Sequence, residues 1–309
     1  MLVELYAKTD IGRIRAGNED NFLVLDLTTE KAWLGTEREA SHDELHRFEL
    51  GERGLVLVVS DGMGGALAGD VASLMAVEIV RDMLIGNDVE EGTCGPDTPL
   101  VDCLRNATDY ANYAIHRRSQ EDARCAGMGA TLTGAAITGT TLDFVQVGDS
   151  RAYVMRGEEI KLTTKDQSLV QQLVDVGQIS EQEAETHMFR NVILQALGAQ
   201  AELAPVTGRV HIHQGDILLL CSDGLSGKLR AEDMHRLIGQ SRGDLAAACD
   251  ALIEEANARG GEDNITVIIA RFTGDELPKP GAPRITVEHL SHDGDARTLI
   301  KEEDTTENP

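Results

Sequence analysis

The chain has 309 residues, 41% hydrophobic and 26% charged, a globular composition long enough for one large domain or two small ones. Its formal net charge of −25 at pH 7 repels phosphate backbones and anionic lipid, which excludes nucleic acid and membrane surfaces as natural partners. Such a surface also attracts divalent cations, although acidity alone is more often a solubility device.

No apolar run approaches the ~20 residues that span a bilayer, and the first residues lack a basic stretch leading into an apolar one. The five cysteines (Cys94, Cys103, Cys125, Cys221 and Cys249) are scattered without a C-x-x-C pair, a pattern that predicts reduced thiols and a cytoplasmic protein.

In chain order, residues 27–53 are polar and charged and read as a surface insertion between two strands. The run LVLVV at 55–59 predicts a buried strand ending in Ser60-Asp61-Gly62. Val71, Met75, Ile79 and Met83 recur every four residues over 66–84, a spacing that marks one face of a helix. A second helix follows over 99–116, with Leu100, Leu104, Ala107, Ala111 and Ala114 on one side and Pro99 in its first turn. Segments 131–138, 142–147 and 151–155 read as hairpin-linked strands. Residues 167–176 look helical, and 177–198 mix short helical pieces with polar residues.

A second apolar strand, 217–220, runs into Ser222-Asp223-Gly224. A helix over 243–258 then leads to a last core strand at 265–272. Strands and helices arrive in groups, which predicts an α+β fold with helices covering antiparallel sheets. Residues 1–272 form the expected folded body. Residues 273–309 read as an acidic disordered tail, with one extended piece near Ile285–Val287.

The informative feature is recurrence. Two apolar strands end in Ser-Asp-Gly, a third ends in Gly148-Asp149-Ser150, and Glu262-Asp263 stands just before the last strand. Any one of these is more often a plain turn. Four acidic strand ends gathered at one edge would repel each other unless cations lay between them, and an oxygen donor set without a Cys or His cluster suits Mg²⁺ or Mn²⁺. Arg15, five residues ahead of Asp20 and followed by Glu19, is by itself a surface ion pair. Beside those carboxylates it becomes a candidate phosphate clamp.

The segments TDIGRIRAGNED (9–20), SDGMGG (60–65), GATLTGAAI (129–137), VGDSRAY (147–153), SDGL (222–225) and GGEDNITV (260–267) resemble, in the same order, the motif series of the 2C-type metal-dependent Ser/Thr protein phosphatases, and above all the bacterial members. The resemblance implies a four-layer α-β-β-α sandwich, with two antiparallel sheets flanked by helices. It further implies hydrolysis of phosphoserine or phosphothreonine by a water activated on two Mn²⁺ or Mg²⁺ ions, in a monomer that acts on phosphorylated proteins and opposes a Ser/Thr kinase. Residue by residue it makes Asp61 the bridging ligand and Gly62 a carbonyl ligand. Asp223 and Asp263 become ligands of the first metal, Glu19 and Asp20 holders of metal-bound water, Arg15 the phosphate-binding arginine and Asp149 the holder of a third, weaker metal. Arg13, two positions off the motif, receives no catalytic role.

In one respect the chain departs from the animal members. These place a histidine, proposed as general acid, where this chain has Met63. His187 is a conceivable donor, against the plainer reading of a surface histidine. Three other readings of the chain stay open on sequence alone: a catalytically inactive binding module on this fold, a specialised phosphatase of signalling antagonists, and a phosphomonoesterase for small molecules.

Overall fold

In the computed structural model, the described residues are 1–36, 43–64, 68–86, 94–95, 97–279 and 284–290. Strands β1 (Leu2–Asp10), β2 (Asp20–Asp26), β3 (Lys31–Leu34), β4 (Arg47–Glu49) and β5 (Leu55–Met63) come first. Helices α1 (Gly69–Ile85) and α2 (Leu100–Glu121) follow, then β6 (Gly129–Ala130), β7 (Leu132–Thr138), β8 (Thr141–Val147), β9 (Arg151–Arg156) and β10 (Glu159–Leu162). Two short helices, α3 (Leu169–Asp175) and α4 (Glu181–Thr186), precede β11 (Val206–His211) and β12 (Ile217–Cys221). Last come α5 (Asp223–Ser226), α6 (Ala231–Gln240), α7 (Leu245–Ala258), β13 (Ile265–Thr273) and β14 (Glu288–His289).

One sheet has the order β10-β9-β12-β13-β1-β4 and the other β14-β11-β8-β7-β5-β2-β3, with β6 pairing the end of β5. Every strand pairing is antiparallel.

Three apolar layers explain why the central strands read as unbroken hydrophobic runs: both of their faces are buried. In β5, Leu55, Leu57 and Val59 enter the layer between the sheets, while Val56 and Val58 face α1 and α2. In β13, Ile268, Ala270 and Phe272 enter the same central layer, and Ile265, Val267 and Ile269 face α6 and α7. The result is the expected α-β-β-α sandwich.

The structure refines the first helix and corrects three expectations. In α1 the row Val71, Met75, Ile79 and Met83 is partly buried. The fully buried row of α1 lies one residue on, at Ala72, Ala76 and Val80, because α1 packs against both β5 and α2 and alanines allow the closest approach. Residues 27–53 are not a plain surface insertion: Trp33, Leu34 and Leu45 are buried and β3 and β4 extend the two sheets, while 37–42 lie outside the described residues.

Cys94 and Cys103 form a disulfide with Cα atoms 5.2 Å apart, where reduced thiols were expected. The turn closed by Thr98 N–H on Gly95 C=O (3.0 Å) carries Cys94 back over the start of α2, a return that sequence spacing does not announce. The bond removes the support that cysteine usage gave to a cytoplasmic setting. Cys125, Cys221 and Cys249 are buried and form no disulfide among the described residues.

The folded body also runs past 272. Leu277 and Ile285 are buried in the central layer, and β14 pairs with β11 through Gly208↔His289 and Arg209↔Glu288. Residues 291–309, the remainder of the expected tail, lie outside the described residues. Because Ile285 is only 2% exposed, Ile285→Ala should destabilise the protein by about 2–4 kcal/mol in urea unfolding. A neutral substitution there would restore the boundary at 272. No described helix is long and apolar enough to cross a membrane.

Candidate active site

Antiparallel register places the acidic positions at one edge of the sandwich. Asp20 opens β2 directly opposite Asp61 near the end of β5. Asp10 closes β1 opposite Ile265, so Asp263, two residues earlier, lies at that same edge. Asp223 follows β12, which pairs with β13, and Asp149 sits in the tight turn between β8 and β9, where Gly148 adopts φ 98°.

Both serines of the repeated Ser-Asp-Gly have a structural task. Ser60 Oγ donates to Thr131 C=O (2.6 Å), and Thr131 Oγ1 accepts Asp61 N–H (3.0 Å), which fixes the end of β5. Ser222 Oγ donates to Asp20 Oδ2 (2.7 Å) and accepts Thr266 N–H (3.0 Å), tying the two sheets together across the site. Thr266 Oγ1 pairs with Thr9 Oγ1 (2.7 Å), which accepts from Asn18 Nδ2 (2.7 Å).

Gly62 is in register with Ala130 of β6, and its N–H donates to Glu19 C=O (3.1 Å). Arg15 Nη2 donates to Asp263 Oδ2 (2.8 Å), and Nη1 lies 3.9 Å from Glu19 Oε2. The arginine stays 46% exposed, so part of its fork faces solvent. Arg13 contributes its backbone, N–H to Gly261 C=O at 2.7 Å.

The electrostatics follow from burial and crowding. Burial first, then repulsion from Asp20, Asp223, Asp149 and Asp263, holds the Asp61 carboxyl well above its ordinary range. Burial raises Asp20 to about 7 against hydrogen bonds from Ser222 and Thr266, and raises Asp149 to about 8 with Asp223 and Asp166 adding to it. Asp223 is raised by burial and by Asp263, and Glu19 by burial and by Asp70 against the pull of Arg15.

Oδ1 of Asp149 and Oδ1 of Asp223 are buried and accept no hydrogen bond among the described residues. Among these residues no group of three Asp, Glu, His or Cys side chains meets the geometry of a preformed metal site. The fit to cations therefore rests on the all-oxygen donor set, the mutual repulsion and the two orphaned oxygens, which suit hard divalent ions.

Arg15, Glu19, Asp20, Asp61, Gly62, Asp149, Asp223 and Asp263 lie at this edge or beside it. Several supporting residues were not selected, namely Asn264, Ser222, Thr266, Thr9 and Asn18. Nor was Arg151, whose guanidinium forks onto Asp166 (2.9 and 2.7 Å) next to Asp149. Only the repeated serine before each Ser-Asp-Gly aspartate offered a signal. Met63 stands 37% exposed at the rim, beside Gly129. His187 caps the end of α4: its Nδ1 accepts Phe189 N–H (3.2 Å) and its ring packs on Phe189, which leaves only Nε2 as a potential proton donor.

The protein phosphatase 2C family matches residues 37–260. The serine/threonine phosphatase stp of Listeria monocytogenes is 33% identical over 269 residues, covering 85% of this chain and 93% of that protein. Protein phosphatase PhpP of Streptococcus pneumoniae is 32% identical over 243 residues, 79% of this chain and 96% of the other. The crystal structure of the Mycobacterium tuberculosis serine/threonine phosphatase PstP/Ppp superposes with a TM-score of 0.71 at 32% identity, covering 89% of this chain and all of that one. A structure of the PstP catalytic domain in complex with two manganese ions superposes at 0.68 and 31% identity. With this family match, these identities and the layered fold in common with the solved structures, the chain belongs to the protein phosphatase 2C family.

Proposed function

We propose that this chain hydrolyses phosphoserine and phosphothreonine on proteins, with Asp61, the Gly62 carbonyl, Asp223 and Asp263 holding two Mn²⁺ or Mg²⁺ ions. Asp149 would serve a third, weaker one. The observation that carries the reading is the convergence of five aspartates beside one half-exposed arginine, with raised proton affinity at Asp20, Asp61, Asp149 and Asp223 and two orphaned oxygens. The PstP structure with two manganese ions supports the metal count, and the names of the relatives support the substrate class.

When bound, the cations supply the charge that ionises water near neutral pH and offsets phosphoryl charge. The chain does the rest. Asp20, held in place by Ser222 Oγ on its Oδ2, would orient a water for in-line attack. Glu19 reaches the same ground from the start of β2, where a Cβ on Gly69 would stand 2.8 Å from its Cδ. Arg15 keeps one nitrogen on Asp263 and turns the rest of its fork to the phosphoryl oxygens. Kinase-labelled proteins are the natural substrates, and the strongly acidic body disfavours nucleic acid.

The test is hydrolysis of a phosphothreonine peptide with and without Mn²⁺, with chelator as control, set against sugar phosphates. Turnover that needs the metal and prefers the peptide is expected. A folded protein inactive under every metal would be a binding module instead. Arg15→Ala should raise KM about tenfold and change kcat by only about threefold, since it removes one charge-assisted contact to phosphate. A pure kcat effect would move Arg15 from substrate binding to the chemical step.

A further inference from the structure

The loop between β1 and β2 carries Arg15 and Glu19, and its residues 13–17 are exposed. Its first half is held by its own N–H groups: Gly12 N–H donates to the Asp10 side chain at Oδ1 (2.9 Å) and Arg13 N–H to Gly261 C=O (2.7 Å). The second half, from which Arg15 must be aimed, is held by Asn18 Nδ2 on Thr9 Oγ1 (2.7 Å), by Gly62 N–H on Glu19 C=O (3.1 Å) and, reaching both ends, by the side chain of Asn264. Asn264 is 2% exposed. Its Oδ1 accepts Glu19 N–H (2.8 Å), while Nδ2 donates to Ile11 C=O (2.9 Å) and Gly17 C=O (3.0 Å).

One amide thus bridges both ends of the loop, and only an amide offers the acceptor and two donors that these three groups need. The backbone of Asn264 is itself fixed: its N–H donates to Asp263 Oδ1 (2.9 Å), and its carbonyl lies so close to Gly224 that a Cβ there would stand 1.9 Å away. Asn264 therefore joins the loop to the two segments that carry Asp223 and Asp263.

We infer that Asn264 is a positioning residue that sets Arg15 at phosphate-binding reach of the carboxylate edge, acting on substrate affinity rather than on the metal ligands. The inference rests on the proposed role of Arg15. It makes the arginine's contribution depend on a neutral amide that touches neither metal nor substrate.

A double-mutant cycle in the full chain tests it, using a phosphothreonine peptide, inorganic phosphate as inhibitor and Mn²⁺ titration by calorimetry. Asn264→Ala should raise KM and the phosphate inhibition constant about tenfold, with kcat and Mn²⁺ affinity within about threefold of the parent. In an Arg15→Ala background the same substitution should add almost nothing, because the two act as a unit. Asn264→Asp keeps the shape and the acceptor but turns a carboxylate towards two carbonyls, so it should reproduce the KM effect.

Additive effects in the cycle, or a fall in Mn²⁺ affinity that parallels the rise in KM, would overturn the inference. An Arg15→Ala effect without an Asn264→Ala effect sinks this inference alone. Silence of both sinks the role of Arg15 as well. Should Asn264→Ala fail to fold, Asn18→Ala, which releases the same loop from Thr9, should show the same dependence on Arg15, and its silence would be decisive against the inference.

Discussion

Asp61→Asn is expected to abolish turnover, by on the order of a thousandfold or more, as when a preorganised electrostatic group is lost, and yet to raise the melting temperature in chelator. The two effects share a cause. Asp61 lies half-buried among Asp20, Asp223, Asp149 and Asp263, so its charge is repelled in the folded chain and freely solvated in the unfolded one. Its folded-state proton affinity lies above the unfolded value, as do those of Asp20 (about 7) and Asp149 (about 8). For an acid shifted upward, the folded state binds more protons across that interval, so stability is greatest below the ordinary carboxylate range and falls as pH rises through it.

In chelator the melting temperature should therefore fall between about pH 5 and about pH 8. The fall should be shallower in Asp61→Asn, because one of the repelling charges is gone. Mn²⁺ favours the ionised carboxylates and should restore the melting temperature of the parent most strongly at the upper end of that range. Asp61→Asn should respond little to the metal. Thermal scans over pH, with chelator or Mn²⁺, measure all of this. A melting temperature that rises with pH in chelator would mean that the five aspartates are not a repelling cluster.

How much of this was legible in the sequence depends on what each signal encodes. Val56–Val59 and Ile265–Ala270 announce buried strands because both faces meet apolar layers. The acids at their ends stand out because carboxylates beside buried strands need a reason. The four-layer arrangement came from the motif resemblance, since grouped strands and helices alone indicate only an α+β fold. Asn264, Thr266 and Ser222 stayed hidden because Asn, Ser and Thr are ordinary turn residues, and their value lies in contacts across 200 or more positions, such as Ser222 with Asp20.

Ile285 was legible only in part. With Val287 it read as an extended piece, but its burial depends on β14 closing against β11, a pairing that so short an alternation does not report. On α1 the periodicity gave the helix but not the row of closest approach, which alanines occupy because two neighbours press on it.

Gly224→Ala is the substitution that asks why each Ser-Asp-Gly ends in glycine, and it should be severe. Neither Gly62 nor Gly224 has a positive φ, so conformational freedom is not the reason. Close approach is. A Cβ on Gly224 would stand 1.9 Å from the Asn264 carbonyl oxygen and 2.9 Å from its carbon. On Gly62 it would stand 2.0 Å from Gly69 O and 2.6 Å from Glu19 O. These neighbours are backbone, which has no rotamer to escape into, so the chain itself must move.

At Gly224 that movement displaces the segment carrying Asp263 and Asn264. Gly224→Ala should therefore lose about 1–3 kcal/mol in urea unfolding, the range for overpacking, and lose Mn²⁺ affinity with it. Gly239→Ala is the control: it lies in α6 with nothing near its Cβ position and should gain up to about 1 kcal/mol from helix propensity. If Gly224→Ala were as stable and as metal-responsive as Gly239→Ala, the glycine would be only a turn residue. A loss confined to Gly224→Ala would show that aspartate and glycine are one unit, the first to hold charge at the edge and the second to let the opposing segment come close enough to share it.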